Sequence, residues 1–406
     1  MAHTARSDED KKEFFDSPEE LEKKVDRLVE LVKKSKHFIA FTGAGVSTST
    51  GIPDFRSGMD TKLETGPGVW ELNAHKQARG ATHKTTSTTK AIPSSTHMLL
   101  VKMQQEGILK GVVSQNTDGL HKRSGLPKKA LFELHGNSNL EKCEKCDHEY
   151  LRDYRCSIGL RNHLTGRKCD DPKCKGNLKD TIIHFGETLP VDTLEASYQH
   201  AAVADLCLVY GSSLTVTPAA DIPLNVATRK NSPGDLVIVN LQRTPLDDVA
   251  SLRIFAKCDD VTQLLAKKLS LDIPTFKLHR KLIVSTTITP KGQRVEVAGT
   301  DMEGHPFSYL KRVDFSVEGE VESFNAEPIV VWLKHKDNSM VKIFIQFQGH
   351  YGEPTLTISF DPHKEQRTEY SLQYDPFTRT WSKTEHVLEG EVDQLAIKME
   401  QKAQLT

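Results

Sequence analysis

The sequence predicts an α/β chain: a doubly wound parallel sheet carrying a small zinc-ribbon module, followed by a separate antiparallel β domain. Three observations carry that expectation. Short apolar runs at 38–41, 111–114, 206–210 and 236–239 alternate with helix-like stretches, the signature of parallel strands buried on both faces. Cys143, Cys146, Cys169 and Cys174 are spaced C-x2-C, twenty-two residues, then C-x4-C, a pattern that brings four thiolates around one tetrahedral Zn2+. Beyond Ile273-Pro274 the texture changes to period-two alternation, as in Arg294-Val295-Glu296-Val297 and Leu356-Thr357-Ile358-Ser359-Phe360, which marks half-buried strands.

In chain order, Ser17-Pro18-Glu19-Glu20 reads as a capping box with proline at the first helical position. Leu21, Val25, Leu28, Val29 and Val32 then share one helical face. This N-terminal extension and helix (1–35) leads into Phe38-Ile39-Ala40-Phe41, stopped by Gly43. Helices are expected over 97–107 and 260–271, and a loop over the Ser/Thr-rich stretch 82–95. A Rossmann-like catalytic domain is placed at 36–275, with the zinc module at about 137–182. The β domain, a small sandwich, is placed at 277–390, with strand-rich runs at 329–333 and 341–347 separated by a turn at 336–339. A short helix or tail closes the chain at 391–406. No internal repeat is visible.

At 406 residues two to three domains are expected. Lys plus Arg (54) nearly balances Asp plus Glu (55), so no bulk charge drives binding to nucleic acid or membrane, and a chromatin contact would need a local basic patch. Seven cysteines, four of them on zinc, argue against a disulfide framework and for a reducing compartment. The polar segment 1–16 lacks the apolar core of a signal peptide, and no run reaches the ~20 apolar residues of a membrane helix. A soluble intracellular protein is expected. A four-thiolate zinc site is closed to substrate, so the metal holds structure and the catalytic centre lies elsewhere.

The strand ends carry the chemistry. Thr42-Gly43-Ala44-Gly45-Val46-Ser47 lets backbone N–H groups approach a phosphate ahead of a helix N-terminus. The third glycine of the dinucleotide fingerprint is missing, because Thr48 stands in its place. Asp54-Phe55-Arg56 follows the same turn. Gln115-Asn116-Thr117-Asp118-Gly119 ends the second strand with amide and carboxylate groups suited to ribose hydroxyls and a carboxamide. Gly211-Ser212-Ser213 and Asn240-Leu241-Gln242 end two more strands. Among the 17 histidines, His135 stands out beside Gly136 and close to the cysteines, where a neutral imidazole can accept a proton near neutral pH. His97, His121 and His184 are weaker candidates, read as structural or substrate-lining.

Taken together, Gly43 to Ser47, Gly51 to Arg56, Gln115 to His121, Glu133-Leu134-His135-Gly136-Asn137, the two cysteine pairs, His184-Phe185-Gly186-Glu187, Gly211 to Leu214 and Val239 to Gln242 resemble the sirtuins, NAD-dependent protein-lysine deacylases. The match runs in order from about Lys36 to Pro274. Arg123 to Pro127, Thr96-His97-Met98 and Val237 to Gln242 are most similar to the class IV branch of the sixth and seventh animal members. His184 to Glu187 and Gly211 to Ser213 lean to the seventh.

The resemblance implies that NAD lies across the carboxyl edge, its diphosphate on Gly43, Ala44, Gly45 and Ser212. Ser213, Asn240 and Leu241 flank the adenosine ribose, with Gln242 on the same loop and Cys258 near adenine. Ser47, Asp54, Gln115, Asn116, Asp118 and Gly211 complete the cofactor set, Asn116 and Asp118 positioning the nicotinamide ribose and carboxamide. Phe55 shields the reacting carbon and Arg56 supports the pocket. His135 acts as general base, with Asn116 and Asp118 as its catalytic partners. His184, Phe185, Gly186 and Glu187 line a cleft where an acylated-lysine protein, a histone or another, adds as a strand. The products are lysine, nicotinamide and O-acyl-ADP-ribose, and the branch implies a nuclear protein. Three departures stand out: Thr117 in the nicotinamide pocket, Ser57 after Arg56, and an insertion from Ser57 to Thr65 that lengthens the cofactor loop. Rival readings are an oxidoreductase on the same sheet, a protein mono-ADP-ribosyltransferase, and a non-catalytic module binding chromatin or a partner. The β domain is either an interaction module or a packing extension of the catalytic lobe.

Overall fold

The computed structural model describes residues 8–74, 85–159, 161–290, 292–333 and 340–388. The expected helix over 391–405, the turn at 336–339 and the first part of the Ser/Thr-rich loop lie outside those residues. The chain divides into two compact units, Met1–His148 with Tyr154–Phe276, and Glu149–Asp153 with Lys277–Thr406.

In the first unit β1 (Phe38–Thr42), β2 (Leu109–Ser114) and β3 (Leu131–Glu133) precede the cysteine-bearing insert. The insert holds β4 (Leu140–Cys143), β5 (Glu149–Arg152, part of the second unit), β6 (Leu164–Lys168) and β7 (Asn177–Asp180). Strands β8 (Leu206–Tyr210), β9 (Asp235–Val239) and β10 (Leu252–Ile254) follow. Six of them form one parallel sheet in the order β10-β9-β8-β1-β2-β3. The chain steps outward from β1 through β2 and β3, then returns to start the other half at β8. Strand order therefore reverses between β1 and β8, and a crevice opens beyond Thr42 and Tyr210, where doubly wound sheets bind ligands.

Alternate residues of each strand feed two cores. Phe38, Ala40, Leu206, Leu208, Val237 and Val239 pack with α2 (Pro18–Lys34), α4 (Ser95–Gln105) and α8 (Cys258–Leu269). Ile39, Phe41, Cys207, Val209, Leu236 and Ile238 pack with α6 (Val191–Val203) and α7 (Asp221–Thr228). Three shorter helices complete the unit: α1 (Asp8–Lys11), α3 (Val69–Ala74) and α5 (Leu120–Ser124). At the start of α2 the Glu20 amide donates to the Ser17 hydroxyl, which itself donates to Glu19. The reciprocal capping box occurs instead at Ser94, whose hydroxyl and amide both face the His97 end of the first turn of α4. No helix among the described residues is long and apolar enough to cross a membrane.

The second unit is antiparallel. Its strands are β11 (Leu278–Thr289), β12 (Gly292–Thr300), β13 (Phe307–Ser308), β14 (Leu310–Val317), β15 (Glu320–Phe324), β16 (Ile329–Leu333), β17 (Val341–Phe347), β18 (Leu356–Phe360), β19 (Arg367–Asp375) and β20 (Thr380–Leu388). They form two main sheets, β16-β12-β11-β19-β20 and β15-β14-β17-β18. Val341, Ile343, Ile345 and Phe347 of β17, with Tyr370, Leu372 and Tyr374 of β19, point inward at every second position. Strand β5 joins β13 in parallel, and a buried Asp153 carboxylate accepts from the Arg280 guanidinium at 3.1 Å. Five residues that the sequence reading placed inside the zinc module thus belong to the β unit. Their membership depends on partners far along the chain, which local pattern cannot reveal.

Candidate active site

The floor of the crevice is built by three glycines in contact. The Gly43 amide donates to the Tyr210 carbonyl and the Gly45 amide to the Gly211 carbonyl. A Cβ on Gly43 would lie 2.7 Å from the Gly211 oxygen, one on Gly45 2.6 Å from the Gly211 Cα, and one on Gly211 2.5 Å from the Gly45 Cα. Gly211 also has φ of 61°, a left-handed conformation that side-chain-bearing residues resist. The ends of β1 and β8 can approach this closely only as glycine. The helix expected after Gly45 is absent. Two three-residue 3-10 turns, Ala44–Val46 and Thr48–Thr50, stand there and end at Gly51 with φ of 88°. An anion here would meet backbone amides without the aligned dipole of a full helix.

Above this floor is a cleft of about 900 Å³. It is lined by Gly43, Ala44, Gly45, Asp54, Phe55, Arg56, Gln115, Asn116, His135, His184 to Glu187, Gly211 to Ser213, Asn240 to Gln242 and Cys258. Residues following five strands, from two loops and from the start of α8 thus converge on one space. Ser47 and Asp118 stand outside that lining: the Ser47 hydroxyl donates to Asp118 Oδ2 at 2.7 Å, and Asp118 Oδ1 accepts from the Leu120 amide at 2.9 Å, starting α5. Asn116 Nδ2 donates to the Gly43 carbonyl at 3.0 Å, tying the β2 end to the glycine floor. The Ser212 hydroxyl donates to Gln115 Oε1 at 2.6 Å, tying β8 to β2. Asn240 Nδ2 is spent on the Gln242 carbonyl and Gln242 Nε2 on the Lys11 carbonyl. Burial raises the Cys258 thiol well above its ordinary range, so it lines the cleft as a neutral group.

His135 follows β3. Its Nδ1 lies 2.9 Å from the Gln115 carbonyl oxygen. A carbonyl can only accept, so Nδ1 carries the proton and Nε2 holds the lone pair. Burial lowers the imidazole pKa below its ordinary value, outweighing the opposing pull of that carbonyl. A neutral ring with a defined tautomer, lining a cleft, is equipped as a general base. The next residue fixes its placement: Gly136 has φ of 78°, and a Cβ there would sit 1.7 Å from the Thr181 carbonyl oxygen.

The mouth is aromatic. Phe55 is 48% and Phe185 53% exposed, and Trp70 stands between them with ring centroids 5.2 Å and 5.6 Å away. The Arg56 guanidinium lies 4.8 Å over the Trp70 ring. Trp70 closes the insertion loop as its anchor, a role that sequence gave no sign of beyond the Gly-Pro-Gly before it. Asp54 turns back to accept from the Arg56 and Ser57 amides and from the Ser57 hydroxyl, so the serine that departs from the family pattern closes the loop. Thr117, the second departure, lines the cleft and accepts from the Ser138 amide and hydroxyl through its carbonyl.

The 184–187 segment is held by its own carboxylate: Glu187 accepts from the His184 amide at 2.7 Å and contacts His163 Nε2 at 3.1 Å. The other nitrogen of His163 meets Asp180, and the two carboxylates, Asp180 first, raise its pKa. His163 escaped the sequence reading because its partners are seventeen and twenty-four residues away. His97 and His121 are core residues, 0% and 1% exposed with rings 4.6 Å apart.

Cys143 to Cys174 and Cys146 to Cys169 are each 3.6 Å apart between sulfurs, and all four sulfurs lie within 4.8 Å of one another. Four thiolates at ~2.3 Å from a tetrahedral Zn2+ would sit about 3.8 Å apart. The donor set and spacing fit zinc, with no position left for water.

The Sir2 family profile matches residues 43–218. The chain is 45% identical over 310 residues to the NAD-dependent protein deacetylase SRT1 of Oryza sativa subsp. indica, covering 75% of this chain and 61% of that protein. It is 42% identical over 282 residues to sirtuin-7 of Bos taurus, covering 67% of this chain and 66% of that one. It is 36% identical over 275 residues to the deacetylase Sirt6 of Drosophila melanogaster, covering 65% of this chain and 81% of the relative. A solved structure of Sir2 bound to acetylated peptide is 31% identical with a TM-score of 0.45, over 61% of this chain and 99% of that one. The chain thus spans less than two thirds of the length of the first two relatives.

Proposed function

Because the chain belongs to the Sir2 family, in its class IV branch, we propose that it is an NAD-dependent protein-lysine deacetylase. In this reading an acyl group moves from lysine to ADP-ribose with release of nicotinamide. The observation that carries the proposal is His135: one ring nitrogen is committed to the Gln115 carbonyl, leaving the basic nitrogen in the cleft that the glycine floor also lines.

Bound NAD supplies a glycosidic bond whose cleavage opens the ribose to the acyl oxygen of the substrate. The residues of this chain do the rest. Gly43, Ala44, Gly45 and Ser212 form the diphosphate end, where the absence of side chains on the glycines lets the group lie against backbone whose Gly43 and Gly45 amides and Ser212 hydroxyl already brace the strand ends. Ser213, Asn240, Leu241, Gln242 and Cys258 form the adenosine end. Asn116 orients the nicotinamide ribose, its own amide held to the Gly43 carbonyl. Asp118 acts as a positioning residue through Ser47 and through the start of α5. Phe55, packed at a tilt against Trp70 at the mouth, keeps water from the reacting carbon. His135 Nε2 would accept the proton of a ribose hydroxyl of the bound dinucleotide, readying that oxygen for acyl transfer. The 184–187 segment pairs with an extended peptide. The zinc site holds the insert together and takes no part in the chemistry.

The acyl donor is an acylated-lysine protein, a histone or another, and the site of action is the nucleus. Support for both comes only from the resemblance of Arg123 to Pro127, Thr96 to Met98 and Val237 to Gln242 to the branch of the sixth and seventh animal members. Nothing in the cleft favours ADP-ribosyl transfer to protein over deacylation. The test is a panel of acyl-lysine peptides incubated with NAD, wild type beside His135→Tyr. Nicotinamide and O-acyl-ADP-ribose should form with wild type and vanish with the variant, whereas NADH formation would mark a hydride-transfer enzyme.

A further inference from the structure

The segment before α2 is built into the wall of the cleft. After α1 the chain runs extended along the loops that close the adenosine end. The Phe14 amide donates to the Leu241 carbonyl at 2.9 Å, and the Asp16 amide to the Phe255 carbonyl at 2.8 Å. The Phe255 amide returns a bond to Asp16 Oδ2 at 2.8 Å, and Lys24 holds the other carboxylate oxygen at 2.7 Å. The Phe14 ring sits 5.2 Å from Phe255 with the Arg243 guanidinium over it. These contacts fix the register of the arm, and with it the direction of the side chain just before Phe14.

That side chain is Glu13, which lines the cleft. Its carboxylate accepts from the Thr61 hydroxyl at 2.5 Å and the Lys62 amide at 3.0 Å. Both donors lie in the insertion that lengthens the cofactor loop. Lys11 adds a 3.0 Å ion pair to Glu71 in α3, just past the end of that loop. One segment therefore grips the strand-end loop 240–242 through its backbone and the inserted loop through a carboxylate. Bonds from a carboxylate to neutral donors are charge-assisted and stronger than neutral ones. An insertion of this length would otherwise lose ordering entropy each time cofactor bound.

We propose that Glu13 is a positioning residue for cofactor binding: it holds the inserted loop 57–65 in its closed place against the adenosine-end loop before NAD arrives. The proposal rests on the NAD-dependent reading of the cleft. It assigns to the N-terminal arm a share of the cofactor site that lies outside the residues matched by the family profile.

Two readouts on the full chain separate this proposal from that reading. Hydrogen exchange without nucleotide should show faster exchange in peptides covering 57–65 for Glu13→Ala, with the strands unchanged. Steady-state kinetics should show KM for NAD raised about tenfold by Glu13→Ala, the loss of charge-assisted bonds, with Glu13→Gln intermediate and kcat changed less than KM. Thr61→Val, at the other end of the bond, should raise KM in the same direction and add little to Glu13→Ala. This second variant keeps the test meaningful if Glu13→Ala folds poorly. Unchanged exchange in the loop overturns the anchor. Faster exchange with an unchanged KM, or an equal fall in kcat, overturns the positioning role. Wild-type protein that binds no NAD by calorimetry removes the functional reading and this proposal with it, while the exchange result still reports whether the arm holds the loop.

Discussion

The floor and the mouth of the cleft are made in opposite ways. At the floor, backbone meets backbone: Gly43, Gly45 and Gly211 approach until no Cβ fits, and Asn116 and Ser212 lock the strand ends together. At the mouth, side chains do the work, with Phe55, Trp70 and Phe185 in a row of tilted rings and the two phenylalanines half-exposed. A floor of this kind tolerates almost no substitution, because any added atom pushes main chain apart. A mouth of this kind tolerates change in degree, because a lost ring removes contact area and leaves the frame standing.

The contrast can be broken or sharpened by experiment. The largest effect is expected from His135, which sits between the two regions. Replacement by Tyr should lower kcat by roughly 10²–10⁴-fold, the range for loss of a positioned general base, with nicotinamide-independent NAD binding measured by calorimetry little altered. Next comes Gly45→Ala. The added methyl meets the Gly211 Cα at 2.6 Å, and overpacking of this kind costs about 1–3 kcal/mol. NAD affinity should fall steeply, along with the thermal midpoint. Wild-type affinity in this variant would mean that the two strand ends separate easily.

Phe185→Ala should act more gently and on the other substrate. Its exposed ring offers contact to a peptide, so KM for acyl-lysine peptide should rise roughly threefold to tenfold while KM for NAD holds. A shift in KM for NAD instead would erase the distinction between floor and mouth.

Acid should act on neither region but on the core behind them. Burial lowers the pKa of His97 to about 4 and that of His121 as well. Both rings are neutral in folded and unfolded chains above the ordinary histidine value, so they contribute nothing to pH dependence there. Below pH ~6.5 the unfolded chain binds protons that the folded chain refuses, and stability should fall by about 1.4 kcal/mol per pH unit for each ring. That fall should continue down to the folded value of about 4 for His97. Urea midpoints measured from pH 7 to pH 4 test this, and His97→Asn should flatten the slope.

What the sequence made legible follows the same division. Steric and metal-ligand requirements are written locally, so the glycine turn, the cysteine pairs and the four main strand runs could be read directly. The three-residue strands β3 and β10 are too short to show a period, and α6 and α7 carry mixed apolar and polar faces that blur the helical one. The helix expected after Gly45 fails because Thr48 and Thr50 spend their hydroxyls on the Gly45 and Ser47 carbonyls, and Gly51 then turns the chain left-handed. The anchors Trp70, His163 and Glu13 acquire their roles only from partners distant in sequence. Ser47 and Asp118 both belong to the cofactor set that the resemblance implies, but only the fold shows that they bond to each other.

The central claim is that a neutral imidazole at position 135 completes acyl transfer onto ADP-ribose. The most direct measurement is mass spectrometry of a reaction containing the protein, NAD and an acetyl-lysine peptide. The account predicts deacetylated peptide, nicotinamide and O-acetyl-ADP-ribose in equal amounts, all lost in His135→Tyr. Peptide that keeps its acetyl group while gaining ADP-ribose, or full turnover by the tyrosine variant, would contradict it.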